Sequence, residues 1–176
     1  KATIKTGSPV TADNIDQILA MERPDHIVVA TGAHYRRDGF QGQTGRPLPG
    51  WETGNCVSWD EVALGKVNVS GEILVIDEMA DIAGPLTAVK MAQQGATVRI
   101  VTKWPMIASD TAPEVYLHWV LTYLYEAKVE MIPNHYVRGI NGSEVEIFNI
   151  YHRTSVRKIK ADTIVMATAR NSENSL

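Results

Sequence analysis

Three carboxylates, Asp77, Glu78 and Asp81, crowd the bend that follows an apolar run at residues 73–76. A helical stretch at 84–94 comes next, so the acids sit at a strand-to-helix turn. Turns of this kind hold a pyrophosphate when they read G-x-G-x-x-G, because glycines let backbone N–H groups approach the anion closely. Here only Gly84 stands where a fingerprint glycine would. Two like unit charges about 5 Å apart repel by roughly 3 kcal/mol at an effective dielectric of 20. A helix N-terminus returns only about 0.3–2 kcal/mol. The sequence therefore describes a dinucleotide-type turn that is hostile to a dinucleotide. Clustered carboxylates also suit Mg²⁺ or Ca²⁺, and the plainer account is acids favoured at a helix start by the macrodipole.

The residues after the second strand point the same way. An acid there normally holds the ribose hydroxyls, but the chain reads Thr102-Lys103-Trp104. Lys103 has the charge to meet a 2′-phosphate, and a plain surface lysine is the simpler reading. The five histidines at 26, 34, 118, 135 and 152 show no ligand spacing, and no G-x-S-x-G elbow is present. No catalytic residue and no metal site is assigned.

Positioning these groups requires a regular framework. Residues 73–76 and 98–101 read as buried strands joined by a helix over 84–94 that Gly95 closes, the size of a β-α-β crossover. A helix follows at 114–127, then a strand at 129–132. Residues 144–151 and 155–160 alternate as a hairpin does, with turns at Asn141–Gly142 and His152–Arg153. Residues 163–167 return as a buried strand. Residues 38–71 are rich in glycine and carry Pro47 and Pro49, as a connector would. Within it Trp51 and Trp59 are expected to pin the chain, and Ser58 with Glu61 forms a capping box for a short helix at 58–64.

The N-terminal residues form a second, smaller pattern. Residues 1–7 alternate weakly. A helix is expected over 10–21, capped by Thr11 and Asp13 and stopped at Arg23–Pro24. Residues 27–30 read as a buried strand ending at Thr31–Gly32. DHIVVATGA at 25–33 is echoed by DTIVMATAR at 162–170. Each is an apolar run that breaks at a small-residue turn.

Composition bounds the partners. The chain has 176 residues, 44% hydrophobic, with a net charge of −3 from 17 basic and 20 acidic residues. No basic stripe offers itself to a phosphate backbone, so nucleic acid is not an expected partner. No apolar run approaches a membrane span. Cys56 is the only cysteine. It rules out an internal disulfide and a cysteine-ligated cluster held by this chain. The opening at Lys1 without Met reads as a fragment, and a reducing cytoplasm is the expected compartment. Tyr116, Trp119, Tyr123 and Tyr125 crowd one helix and read as core or interdomain packing.

Taken together, the segments DHIVVATGA, LPGWETGNCVSWDEVALG at 48–65 and ILVIDEMADIAGPLTAVKMAQQGATVRIVT at 73–102 carry a resemblance. The chain resembles the C-terminal nucleotide-binding region of the trimethylamine and histamine dehydrogenase and 2,4-dienoyl-CoA reductase family. That resemblance implies an α/β fold: a Rossmann-like three-layer domain with a parallel sheet and an inserted β-hairpin, preceded by a strand–helix–strand remnant of a neighbouring domain. The expected boundaries are 1–37 for the remnant, 38–70 for the connector, 71–170 for the second domain and 171–176 for a tail.

It also implies a parent that carries FMN, a 4Fe–4S cluster and FAD or ADP, with a degenerate loop that disfavours NAD(P)H. Thr31, Gly32 and Ala33 would line the first domain's nucleotide. Gly84, Thr168, Ala169 and Arg170 would line the second domain's site, although Ala169 stands in a glycine's place. The parent reaction this favours is oxidative dealkylation or deamination of an amine, the fragment itself being inactive. Its partners would be the remaining domains, an electron-transfer flavoprotein and further copies in a homo-oligomer. A dienoyl-CoA reductase-like enzyme with a live NAD(P)H domain is the alternative, and a scaffold or docking module is a third.

Overall fold

A computed structural model describes residues 2–173. The described residues divide into two compact units, one of residues 2–34 with 171–173, the other Tyr35–Arg170. Each is described by itself.

In the smaller unit the helix is α1 (Ile15–Glu22), shorter than the sequence pattern predicts. Neither Thr11 nor Asp13 caps it by side chain. Asn14 is the N-cap residue, and its amide oxygen accepts the Thr11 N–H at 2.9 Å instead. Arg23, in a left-handed conformation, ends the helix as expected. Residues 27–30 form no strand. Ile27, Val28 and Val29 are 57%, 89% and 66% exposed. An apolar run becomes a buried strand only beside partners that complete its ladder, and no described strand lies alongside these residues. Residues 1–7 likewise form no strand among those described. Two short strands, β1 (Ala33–Tyr35) and, far along the chain, β10 (Arg170–Ser172), make a two-stranded sheet.

The larger unit has three layers. Its centre is a five-stranded parallel sheet built from β2 (Cys56–Ser58), β3 (Glu72–Asp77), β4 (Thr97–Thr102), β5 (Glu130–Ile132) and β9 (Thr163–Ala167) in the order β2-β9-β3-β4-β5. Successive residues in a strand face opposite ways. Ile73 and Val75 therefore join the core under the helices, while Leu74 and Ile76 join the core on the other side. Both faces are covered, which is why the run at 73–76 is apolar without alternation.

One outer layer holds α2 (Trp59–Ala63), α3 (Ala83–Gln93) and α4 (Leu117–Glu126). Ala88 and Met91 of α3 pack with Val120 and Leu124 of α4 over the sheet. The helix expected over 114–127 starts late, because Val115 adopts φ 66° and separates α4 from a 3-10 turn at Ser109–Glu114. The other outer layer is an antiparallel meander of β6 (His135–Asn141), β7 (Glu144–Asn149) and β8 (His152–Lys160). The hairpin of the sequence reading is thus one strand short. A register shift between Val137 and Gly139 breaks the alternation that would have revealed β6.

The connector is fastened to the meander. Leu48 is fully buried in the meander-side core, and the Pro49 carbonyl accepts the Ile140 N–H at 2.9 Å. Trp51 packs on that same core and Trp59 on the helix-side one. Ser58 and Glu61 form the expected capping box at the start of α2: the Ser58 N–H donates to Glu61 Oε2 at 3.0 Å, and the Ser58 hydroxyl donates to the same oxygen at 2.9 Å. Cys56 donates its Sγ–H to the Trp51 carbonyl at 3.3 Å, and burial pushes its thiol up to about 11. Such a thiol is inert at neutral pH.

Candidate functional site

In an open parallel sheet the ligand crevice lies beyond the carboxyl ends of neighbouring strands whose connections diverge. Here those strands are β3 and β9. Their last residues, Asp77 and Ala167, are register partners. The Glu78 N–H donates to the Ala167 carbonyl at 3.0 Å, holding the turn at 77–84 against the turn that begins at Thr168. Gly84 opens α3 directly above: a Cβ there would lie 3.1 Å from the Ala167 Cβ and 3.4 Å from the Asp77 Cγ. Gly84 thus does what the last fingerprint glycine does, letting the helix close on the strand.

The anion in this turn is the protein's own. Asp77 is completely buried. Its Oδ1 accepts the N–H groups of Met79 at 3.1 Å and Ala80 at 3.3 Å. Backbone N–H groups of such a turn are the donors that would otherwise face a pyrophosphate. Asp77 Oδ2 has no hydrogen-bond partner among the described residues. Burial raises the Asp77 carboxyl to about 7; the two loop N–H groups oppose that rise, and the charges of Asp81 and Glu78 add to it.

The other two acids point elsewhere. Asp81 Oδ1 accepts the Ala83 N–H at 2.8 Å at the start of α3. Glu78 is held by the Lys103 ammonium at 3.3 Å, and its pKa is raised by burial against that pairing. Lys103 is accordingly neither a free 2′-phosphate ligand nor an ordinary surface lysine. Its side chain is 22% exposed and its ammonium stands 5.2 Å from the Trp104 ring. The three carboxylates do not converge, and no His, Cys, Asp and Glu grouping able to hold a metal ion occurs among the described residues. The Mg²⁺ or Ca²⁺ reading of Asp77, Glu78 and Asp81 is corrected by that divergence.

Of the remaining predicted site residues, Thr168 has a buried hydroxyl without a hydrogen-bond partner among the described residues, and the Ala169 carbonyl accepts the Arg36 N–H at 3.0 Å. Arg170 is exposed in β10. Thr31, Gly32 and Ala33 belong with the smaller unit, where the Thr31 hydroxyl donates to the Glu173 carbonyl at 2.6 Å and the Gly32 carbonyl accepts the Glu173 N–H at 3.0 Å. The structure gathers Gly84 and Thr168 at one crevice. Tyr136 was missed from the sequence because its strand was. It lies buried beside Lys103, 5.9 Å from ring centre to ammonium, and burial raises its phenol first, with the Glu78 charge adding.

A scan against family models finds no match. The chain is 25% identical over an alignment of 193 positions to dimethylamine dehydrogenase of Hyphomicrobium sp. (strain x), covering 96% of this chain and 25% of that protein. It superposes on the 6-hydroxypseudooxynicotine amine oxidase HisD of Pseudomonas geniculata N1 with a TM-score of 0.81 and 25% identity, over 94% of this chain and 24% of that one. Histamine dehydrogenase of Rhizobium sp. 4-9 gives 0.75 and 28%, over 82% and 22%. The chain is homologous to the C-terminal region of the trimethylamine dehydrogenase and 2,4-dienoyl-CoA reductase family. It spans about a quarter of the length of the relatives it matches. Within that family's fold the Rossmann-like layers are present and the phosphate turn is filled by Asp77. No described helix is long and apolar enough to cross a membrane.

Proposed function

We propose that this chain is the second nucleotide-binding-type domain of a flavin-dependent amine dehydrogenase or demethylase, kept for its architecture and not for binding NAD(P)H. The single observation that carries this reading is the Asp77 carboxylate bonded to the Met79 and Ala80 N–H groups. A pyrophosphate would have to displace a buried carboxylate from those donors and then lie beside it. The residues present do not fit a nicotinamide dinucleotide, and no step is routed through one.

The relatives named as dehydrogenases of dimethylamine and histamine support an amine as the parent's substrate. FMN and a 4Fe–4S cluster belong in this reading to domains outside this chain, whose single Cys56 cannot ligate a cluster. FAD or ADP would face Thr31, Gly32 and Ala33. An electron-transfer flavoprotein would take the electrons onward. Within the chain, Asp77 closes the turn, Gly84 lets α3 seat on the sheet, and Lys103 neutralises Glu78.

Titration of NADH and of NADPH, followed by amide NMR of the full chain, tests the turn. The Met79, Ala80 and Gly84 resonances are expected to stay in place. Saturable micromolar shifts at those three amides would overturn the reading and favour a dienoyl-CoA reductase-like enzyme. In the intact parent, an amine and not NADPH is expected to bleach the flavin absorbance.

A further inference from the structure

A cavity of about 930 Å³ opens on the meander side of the sheet, away from α3, between the connector at 41–49, the segment after β4 and the strands β6 and β7. Every charged residue that lines it is basic: Arg46, Lys103, Arg138 and Arg153, with no Asp or Glu among them. This is an uneven placement in a chain of net charge −3. Two of these cations are spent. Lys103 pairs with Glu78 at 3.3 Å, and Arg138 pairs with Glu146 at 2.9 Å. The guanidinium groups of Arg46 and Arg153 have no hydrogen-bond or ion-pair partner among the described residues, which leaves their donors available.

The walls between them are aromatic. Trp104 and Tyr151 line the same cavity and are 38% and 76% exposed. Rings left open to solvent inside a basic cleft offer stacking surface worth about 1–3 kcal/mol per base. Guanidinium forks offer bidentate bonds to phosphate oxygens. The volume falls in the range of small-molecule and cofactor sites. An acidic peptide would use the charges and leave the rings idle, whereas a purely apolar ligand would leave the guanidiniums idle.

We propose that this cleft binds a nucleoside phosphate, its base against Trp104 and Tyr151 and its phosphate groups on Arg46 and Arg153. The site borders the turn closed by Asp77, since Trp104 donates its indole N–H to the Glu78 carbonyl at 3.3 Å, but it uses none of that turn's amides and stands or falls independently of the function proposed above.

Calorimetric titration of ADP into the full chain tests it, with inorganic phosphate and a glutamate-rich peptide as comparison probes. ADP is expected to saturate one site in the micromolar range and to weaken steeply between 50 and 200 mM salt, as a phosphate contact does. Arg46→Ala and Arg153→Ala are each expected to lower the affinity at least fivefold, and Trp104→Ala to do the same while leaving the salt dependence intact. Circular dichroism confirms that each variant is folded, and Asp77→Asn is expected to bind ADP as the parent sequence does. Absence of ADP binding would overturn the proposal. So would binding indifferent to both arginines, or a glutamate-rich peptide that binds as tightly as ADP.

Discussion

Gly84 sits against the carboxyl group of Asp77, close enough that a methyl group at Gly84 would touch the Asp77 Cγ at 3.4 Å. A residue that serves nucleotide binding in this fold here seals a buried acid beneath the first turn of a helix. The contact explains how a turn without its glycines can remain compact: its donors are satisfied from inside.

Asp77 should reveal itself through pH. Its folded pKa, about 7, lies above the unfolded value near 3.9, so the folded chain holds the proton more tightly. Stability attributable to this group therefore falls as pH rises from about 4 through about 7 and is level above that. Asp77→Asn keeps the acceptor for Met79 and Ala80 and removes the titration. Urea unfolding at pH 5 and pH 7.5 is expected to show the variant gaining on the parent sequence by on the order of 2 kcal/mol across that interval.

Gly84 is predicted to resist enlargement. The Ala167 Cβ, 3.1 Å from a Cβ built at Gly84, belongs to a strand paired on both sides and cannot withdraw. Gly84→Val is expected to cost about 1–3 kcal/mol through overpacking. The thermal midpoint measures it, and Gly142→Val, whose surroundings are open but whose φ is +59°, provides a comparison of backbone strain without crowding.

Ser58 anchors α2 through Glu61. Ser58→Ala removes the hydroxyl bond and is expected to cost about 1 kcal/mol in urea unfolding. Arg37, ahead of the Ser58 bonds, holds the Glu61 carboxyl down at about 2. The stability from this lowered pKa is present above the ordinary glutamate value and is lost as pH falls through about 2. Losing the serine hydroxyl should therefore move acid unfolding to higher pH.

The exposed run at 27–29 makes an opposite prediction. Val28, 89% exposed, has the composition of a core strand and the surroundings of a surface. Val28→Lys is expected to change stability by no more than about 0.5 kcal/mol. Light scattering should show less self-association, since the substitution breaks an open apolar patch.

Where the sequence was legible, a periodic signal matched a local cause. The runs at 73–76 and 163–167 are apolar because both faces of a parallel strand are covered, and Gly95 ends α3 with φ 95°. The acidic turn was visible as a turn poor in glycine. What it could not announce was direction: three acids close in sequence send their carboxylates to a buried turn, a lysine and a helix start. The strand β6 was hidden by the register shift beside Gly139. Residues 27–30 misled because the pattern of a strand says nothing about whether a neighbour is there to pair with it.

The position of β9 between β2 and β3 has a consequence for biosynthesis. The ribosome delivers this central strand after every other strand of the sheet, so β2 and the β3–β5 half remain unjoined until Thr163–Ala167 emerges. Until then the open flank of β3 is an unprotected template for strangers. Nascent chains stalled before residue 163 should be the ones that chaperones hold.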